Sequence, residues 1–349
     1  MAKIAGTPTV IRQANMLLVK EVIQKNPYIT KPQIAKITQL SLVTVSKLVD
    51  ELEHQGQVKN IGFQNSTGGR KAMQYVLDTS SGTVITLLIR AQCYYIYLLD
   101  LGGNLLREYT REHCQEDWTE ELFGVIEEAR GKANSAVTAL GVAVPGTVSD
   151  GVISNIPLIP QWEGSNLRVM LEQRFEIAAI VENDVNASTI GSHGNYGNAS
   201  VQNMLFLYLD DGIGAGVVIG NKLYKSGRNF AGELGFMDIS HIPEAASRGM
   251  GLERFVKELI CQDRRSDVMD IAARLLRNVC CVLDPDLIVI DSSYLTQEDV
   301  PSIQERIRGM LGTDYMPSIL VTCVDNELSS KGLFILCKGV MSHAVHIYT

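Results

Sequence analysis

Three short polar motifs lie close together near the middle of the chain: ENDVN at 182–186, LYLDDGIGAG at 207–216 and FAGELG at 230–235. The first two contain or follow apolar, strand-like runs, and their glycines permit sharp turns or a close approach of the backbone. Ligands of open α/β sheets bind beyond the carboxyl ends of the strands, where such polar side chains collect. This stretch therefore predicts an α/β fold with a small, polar binding pocket.

Composition indicates a globular protein of about two or three domains. The chain has 349 residues, 46% of them hydrophobic and 20% charged, which favours a sizeable core over disorder. No apolar run is long enough to span a bilayer, and the N-terminus lacks the apolar core of a signal peptide. The seven cysteines are scattered without a CxxC pair, so neither a disulfide framework nor a zinc site is indicated. We therefore expect a cytoplasmic protein with no membrane partner.

Charge is divided unevenly along the chain. Residues 1–77 hold ten Lys and Arg against four Asp and Glu, a net charge of +6, whereas the remainder carries −14. A basic module attached to an acidic body is typical of a head that binds a polyanion. Chance unevenness is the alternative, so charge by itself does not decide the question.

Residues 1–78 are predicted to form a winged helix-turn-helix DNA-binding domain. Helical spacing of apolar residues, a capping box at Thr30 and a cap at Ser41 favour three helices. A two-stranded wing with a polar, glycine-containing tip follows them. The predicted helices cover about 10–25, 31–37 and 42–55, and the predicted strands cover 58–61 and 74–77.

The recognition helix and the wing carry the candidate DNA contacts. A recognition helix needs small polar or basic side chains at its start, because it must approach base edges and phosphates closely. A basic wing tip suits a phosphate or the minor groove. A three-helix protein-interaction domain with a solvated basic face is the alternative, and Ser or Thr at a helix start is often only a cap. The predicted DNA-binding residues are Thr30, Ser41, Thr44, Ser46, Lys47, Arg70 and Lys71.

From residue 79 onward, alternating strand-like and helical segments predict a two-lobed α/β body. A meander opens the first lobe, at 79–190, and the second lobe, at 191–349, repeats the alternation, with the pocket between the two. The glycines of 211–216 are expected to form a turn before a strand at 217–219, and the last helix is expected near 331–343.

The order of these segments resembles the ROK family, which groups sugar-responsive bacterial repressors with sugar kinases on an actin/hexokinase-like (ribonuclease H-like) fold. The resemblance covers nearly the whole chain, and the repressors of the family carry an N-terminal winged helix. Each motif is weak alone, but their order and spacing together are specific. They are RQAN at 12–15, the segment 41–52, GGR at 68–70, GVAVPG at 141–146, ENDVNA at 182–187, DGIGAG at 211–216 and AGELG at 231–235.

The resemblance implies a sugar pocket built around Asn183 and Asp184. In the family this Asn-Asp pair binds sugar hydroxyls, and in its kinases the Asp is the general base, so Asp184 is expected to hold a vestigial base position. A carboxylate beside an amide can bind vicinal hydroxyls, because each hydroxyl both donates and accepts. The alternative is that the pair only caps the following helix. The implied ligand-binding residues are Asn155, Asn183, Asp184, Glu233 and Glu253.

Two departures from the family's kinases argue against catalysis. The kinases have an Asp-x-Gly-x-Thr loop at the first strand of the body, where this chain has LLIRAQ at 87–92. That segment lacks a glycine for close approach to phosphates and a carboxylate to hold Mg²⁺. Asp291-Ser292-Ser293 stands where a Gly-Gly usually contacts adenosine. We therefore expect no enzyme activity, no catalytic residue and no cofactor.

The family's zinc pattern is also broken. Phe236 follows Glu233-Leu234-Gly235 where the family commonly has His, and no Cys occurs in 236–252. A lone His241 does not make a metal site, so none is expected. Phe236 is expected to fill the core of its loop, with packing on a sugar face as the alternative.

The sequence as a whole favours a sugar-sensing, DNA-binding transcriptional regulator, a repressor of carbohydrate-utilisation genes. Its expected partners are double-stranded operator DNA, a sugar or sugar-phosphate effector and further copies of itself in a dimer or tetramer. The first alternative is an active sugar kinase with a DNA-binding head. The second is a DNA binder that does not respond to a ligand.

Overall fold

The computed structural model describes residues 8–63, 72–114, 116–210, 212–227, 229–238, 244, 249–311 and 316–344. They form a small N-terminal domain followed by a body with two five-stranded sheets. Among these residues, no helix is both long enough and apolar enough to cross a membrane.

The N-terminal domain packs three helices against a small antiparallel sheet with strand order β1-β3-β2. One apolar face of each helix fills the core, as the helical spacing predicts. A left-handed residue, Gln39 with φ 58°, makes the tight turn between the second and third helices. The elements are α1 (Pro8–Lys25), β1 (Ile29–Thr30), α2 (Lys31–Thr38), α3 (Leu42–His54), β2 (Val58–Phe63) and β3 (Met73–Leu77).

The first sheet of the body has the strand order β10-β7-β4-β5-β6. Strands β4, β5 and β6 form an antiparallel meander. Strands β7 and β10 then add to β4 in parallel, because a helix precedes each of them in the chain. The elements are β4 (Thr83–Ile89), β5 (Cys93–Asp100), β6 (Leu105–Glu112), α4 (Trp118–Gly131), β7 (Val137–Val144), β8 (Thr147–Ser149), β9 (Val152–Ser154), α5 (Leu167–Phe175), β10 (Ala178–Asn183) and α6 (Asp184–Tyr196).

The second sheet has the strand order β13-β12-β11-β14-β15. Numbered within its own sheet, this order is 3-2-1-4-5, the same as in the first sheet, so the body repeats one topology twice. This duplication confirms the predicted α/β fold class. The elements are β11 (Met204–Leu209), β12 (Ile213–Ile219), β13 (Lys222–Leu223), α7 (Leu252–Cys261), α8 (Arg265–Leu283), β14 (Leu287–Asp291), α9 (Val300–Leu311), β15 (Ser318–Thr322) and α10 (Asn326–Ala344).

Helices α6 and α10 cross at very short range between the two sheets. A Cβ placed on Gly191 would lie 1.9 Å from the carbonyl oxygen of Leu328, and one on Gly332 would lie 1.8 Å from that of Ala187. Helix α10 then packs on the first sheet, where Phe334 joins its core. The carboxyl end of the chain thus returns to the first lobe, and α6 runs continuously through residue 190. The division at 1–78, 79–190 and 191–349 stays a prediction.

Two sequence-based boundaries are wrong, and one has a clear cause. Strand β12 begins at Ile213, so Gly214 and Gly216 lie in a strand and not in a turn. A Cβ on Gly216 would lie 1.8 Å from the hydroxyl of Thr189, so the glycine lets α6 approach β12. The last helix begins at Asn326, five residues before its predicted start.

Candidate functional site

A cleft of about 290 Å³ opens between the two lobes. Its floor is made where β4, β7 and β10 end in the first sheet and where β12 begins in the second. Strand ends leave polar side chains and backbone groups free for a ligand. This volume is close to the smallest that is usual for a ligand pocket. The polar and charged side chains among its lining residues are Arg90, Thr147, Asn155, Asn183, Asp184, Asn186, Tyr208, Asn229, Glu233 and Glu253.

Asn183 and Asp184 lie where β10 passes into α6. The side chain of Asn183 caps α6 by accepting from the amide of Asn186 at 2.9 Å, and its NH₂ group donates to the carbonyl oxygen of Gly146 at 3.1 Å. Asp184 accepts from the amide of Val185 at 2.9 Å and from Asn183 Nδ2 at 3.1 Å. Capping thus uses some of the hydrogen-bonding groups of Asn183 and Asp184, and both side chains still line the cleft.

Arg90 brings a positive charge into the cleft. It follows β4 directly, and its guanidinium forms an ion pair with the carboxylate of Asp184. The guanidinium also lies 5.8 Å from the ring centroid of Tyr208, which belongs to the second lobe. Sequence reasoning treated 87–92 only as a missing phosphate loop. The signal it passed over was a cation at the end of the first strand, where the kinases of the family have a glycine-containing loop.

Glu233 is held in the cleft by the backbone before it. Gly232 has φ 95°, and its carbonyl oxygen accepts from the amide of Ala215 at 2.7 Å. A Cβ on Gly232 would lie 1.8 Å from the carbonyl oxygen of Ala215, so a side chain cannot fit there. Burial, together with the negative charges of Asp184 and Glu253, raises the pKa of Glu233 above its usual value.

The segment from Lys225 to Glu233 joins the second lobe to the first. Lys225 Nζ donates to Glu182 Oε2 at 2.5 Å, and Glu182 is only 2% exposed, so this carboxylate is paired in a buried position. Asn229 Nδ2 donates to the carbonyl oxygen of Val148 at 2.6 Å. These contacts hold residues of one wall of the cleft against the first lobe.

Asn155 lies on the rim of the cleft. It adopts a left-handed conformation with φ 51°, and its amide donates to Glu163 Oε1 at 3.2 Å. The structure therefore brings all five sequence-predicted ligand residues to one cleft. Their role in ligand binding stays a prediction.

The end of β14 carries a buried carboxylate where the family's kinases have glycines. Asp291 is 2% exposed and accepts from the hydroxyl of Thr322 at 2.8 Å. Burial raises the pKa of Asp291 to about 7, against the lowering effect of the Thr322 hydrogen bond. Nearby, the hydroxyl of Ser293 donates to Asp210 Oδ1 at 2.5 Å. The carboxyl groups of Asp291 and Asp210 thus lie near each other's strand ends in the second sheet, each holding a hydroxyl.

The zinc expectation and the Phe236 expectation have different outcomes. Across the described part of the chain, no group of three or more His, Cys, Asp and Glu is placed to hold a metal ion. His241 lies outside that part, so the expectation of no metal site stays a prediction. The core position expected for Phe236 is wrong: the side chain is 67% exposed, and its ring lies 5.6 Å from that of Phe230 at the surface.

Some of the predicted DNA-binding residues cap helices, whereas others are exposed on the surface of the N-terminal domain. Thr30 is 3% exposed, and both its amide and its hydroxyl donate to Gln33 Oε1 at 2.9 Å, so it caps α2 from a buried position. Ser41 caps α3 by accepting from the amide of Thr44 at 3.1 Å. Ser46 is half-buried and Lys47 is exposed on the same helix. Arg70 and Lys71, the predicted wing contacts, lie outside the described residues.

Two apolar residues at the start of α3 were missed by sequence reasoning. Leu42 and Val43 are both exposed, Val43 by 67%. Exposed aliphatic side chains at the start of a recognition helix can contact the methyl group of thymine in the major groove. The sequence does contain a sign of them: two apolar residues directly follow the cap Ser41, and helical spacing does not place these two residues on the core face.

Comparison with known proteins places these features in context. The model of the ROK family matches residues 92–253. The xylose repressor of Caldicellulosiruptor bescii is 31% identical over 266 residues, covering 72% of this chain and 66% of that protein. The transcriptional dual regulator NagC of Escherichia coli is 25% identical over 253 residues, covering 70% and 62%. This chain therefore spans slightly less than two thirds of these relatives.

One solved structure extends the comparison to nearly the whole fold. It is a ROK family transcriptional regulator described as a homologue of the Escherichia coli Mlc protein, with a TM-score of 0.73. The match covers 95% of this chain and 97% of that one at 18% identity. At this identity the likeness establishes the fold, including the N-terminal domain, and nothing about ligands.

Proposed function

Since the chain belongs to the ROK family, we propose that it is a sugar-responsive transcriptional repressor that binds double-stranded operator DNA. Its body binds a sugar or sugar phosphate in the cleft and performs no phosphoryl transfer. It acts in the cytoplasm, with the DNA it binds, as a dimer or tetramer. The observation that carries the proposal is the joint presence of a winged helix-turn-helix head and a polar cleft whose Asp184 is already ion-paired with Arg90.

The head supports DNA binding through the surface of α3. Lys47 is exposed beside the half-buried Ser46, and the apolar pair Leu42 and Val43 extends the exposed start of the helix. Lys47 would contact a phosphate, and Val43 would contact a base edge. The net charge of +6 on residues 1–77 supplies the nonspecific attraction to DNA. Thr30 is not part of this proposed interface, because it is buried.

The cleft supports sugar binding through its hydrogen-bonding groups. Asn183 and Asp184 from the first lobe and Glu233 and Glu253 from the second line a monosaccharide-sized space. Hydroxyls of a sugar would donate to these carboxylates, and a charge-assisted bond contributes about 1.5–3 kcal/mol.

The ion pair between Arg90 and Asp184 argues against catalysis. A general base must take a proton from the acceptor hydroxyl, and the Arg90 guanidinium occupies one oxygen of the carboxylate that would take it. The segment 87–92 also lacks a glycine for close approach to phosphates and a carboxylate to hold Mg²⁺. Both features oppose the chemistry of phosphoryl transfer, which depends on positive groups around the phosphates.

The response to a sugar requires different affinities in two arrangements of the lobes. The contact of Lys225 with Glu182 and that of Asn229 with Val148 are the cross-lobe bonds that such a change would break or form. Two N-terminal domains of a dimer would bind the two halves of a two-fold operator, so the affinity for DNA would depend on the distance between these domains. The sugar thereby changes DNA affinity without touching DNA.

A thermal-shift screen tests the proposal, with sugars and sugar 6-phosphates each measured with and without MgATP. A ligand at 100 times its Kd adds about 2.7 kcal/mol of stability. A hit that does not depend on ATP, and that changes operator affinity in a fluorescence anisotropy titration, is the expected result. A hit accompanied by ATP consumption would favour the kinase. Stabilisation by no sugar at all would favour a DNA binder without a ligand.

A further inference from the structure

We propose that the effector is an uncharged, polyhydroxylated monosaccharide and not its phosphate ester. This rests on the proposed function and narrows it to one class of ligand. The reason lies in the balance of donors and acceptors around the cleft. A sugar hydroxyl can donate to an acceptor, whereas a phosphate dianion can only accept.

Most of the hydrogen-bond acceptor sites of Asp184 are already occupied by other groups of the protein. Its two carboxylate oxygens offer about four acceptor sites. Three of them are used by the amide of Val185, by Asn183 Nδ2 and by the Arg90 guanidinium. One site remains for the ligand, and only a donor can fill it.

Asn183 likewise offers a ligand a hydrogen-bond acceptor and no donor. Both hydrogens of its NH₂ group are used, one by the carbonyl oxygen of Gly146 and one by Asp184 Oδ1, each at 3.1 Å. Its Oδ1 accepts from the amide of Asn186 and keeps a second lone pair. Toward the cleft, Asn183 therefore acts as an acceptor, although an amide could in principle serve either role.

The charges around the cleft act against an anion as well. Among the described lining residues, the three carboxylates of Asp184, Glu233 and Glu253 stand against the single guanidinium of Arg90, which leaves a formal charge of −2. The guanidinium is already paired with Asp184. Outside the lining, Lys225 is bonded to Glu182. A phosphate dianion would have to share Arg90 with Asp184 and would meet two further carboxylates.

Isothermal titration of the full chain tests the inference. The probes are glucose and N-acetylglucosamine, each with its 6-phosphate, together with xylose, all at one ionic strength. We expect at least one uncharged sugar to bind, and to bind at least about tenfold more tightly than its 6-phosphate where it has one among the probes. A phosphate that binds more tightly than its parent sugar would overturn the inference and leave the proposed repressor standing. Binding of no probe would overturn both.

A variant separates charge from structure. Glu253→Gln removes one negative charge and adds a donor, so it should weaken the uncharged sugar about tenfold and narrow the gap between sugar and phosphate. Glu305→Gln on α9 is the matched control, since Glu305 is exposed and does not line the cleft. A purely structural effect of Glu253→Gln would weaken both forms equally, which contradicts the inference.

Discussion

Arg90 and Asp184 form an ion pair in the cleft, although they are 94 residues apart in sequence. One follows the first strand of the body and the other begins α6. The pair joins the end of a central strand to the start of the helix that lies between the two sheets. It also limits what Asp184 can do, because the guanidinium occupies one of the acceptor sites of its carboxylate.

Asp184→Asn should abolish the ligand response and leave DNA binding intact. The change replaces an ionised acceptor by a neutral amide, so sugar affinity should fall by at least about tenfold, in line with the loss of a charge-assisted bond. Operator affinity without sugar should stay within about twofold, because the N-terminal helices and strands have a hydrophobic core of their own. Titration of sugar and of operator DNA measures both. A normal sugar response would remove Asp184 from the site, and Glu305→Gln is the control.

Arg90→Gln should destabilise the protein more than the double variant Arg90→Gln with Asp184→Asn. Loss of the guanidinium leaves a largely buried carboxylate without its charged partner, at a cost of about 1–3 kcal/mol at a partly solvated site. Neutralising Asp184 then removes much of that cost. Urea unfolding of the wild type, both single variants and the double variant measures the coupling. Strictly additive effects would mean that the ion pair has no energetic role.

Gly232→Ala should destabilise the second lobe and weaken the ligand response. The new Cβ would lie 1.8 Å from the carbonyl oxygen of Ala215, and φ 95° is unfavourable for any residue with a side chain. A cost of about 2–4 kcal/mol is expected from the clash and the backbone strain. Gly227→Ala on the same segment is the control, because no atom lies within 4 Å of its added Cβ. Thermal melts that show equal stability for the two variants would contradict the described backbone.

Lys47→Ala should weaken DNA binding uniformly across sequences. A lysine that contacts a phosphate releases about one counterion, so the slope of log affinity against log salt should fall by about one. Lys257→Ala makes the same charge change at an exposed site on α7. Fluorescence anisotropy at four salt concentrations measures the slope. An unchanged slope for Lys47→Ala would place α3 away from the DNA backbone at this position.

Asp291→Asn should stabilise the protein more at pH 8 than at pH 4. Burial raises the pKa of Asp291 from 3.8 to about 7. Between these values the unfolded chain releases the proton and the folded chain keeps it, so the free energy of unfolding falls as pH rises, and the deficit is constant above pH 7. Removing the carboxyl should recover about 2–4 kcal/mol at pH 8. Thermal melts from pH 4 to 8 measure the difference between variant and wild type, and a gain that does not depend on pH would contradict it.

The sequence by itself determined the secondary structure and the chemical character of the cleft. Helical spacing and caps at Thr30 and Ser41 fixed the head, because these signals are local. Apolar runs ending in Asn183 and Asp184 indicated strands that deliver polar groups to one edge of a sheet. The same local signals failed at Gly214 and Gly216, which read as a turn and lie in a strand.

Only the tertiary structure decided which of these groups are committed to each other. No local pattern pairs Arg90 with Asp184 or closes Lys225 onto Glu182, because the partners of each pair come from different elements that are far apart in sequence. Hydrogen-bonding capacity is used up by whichever groups the fold brings within 3 Å or so of one another. The hydrogen-bonding groups that remain for a ligand in the cleft are therefore determined by tertiary packing and not by the sequence motifs.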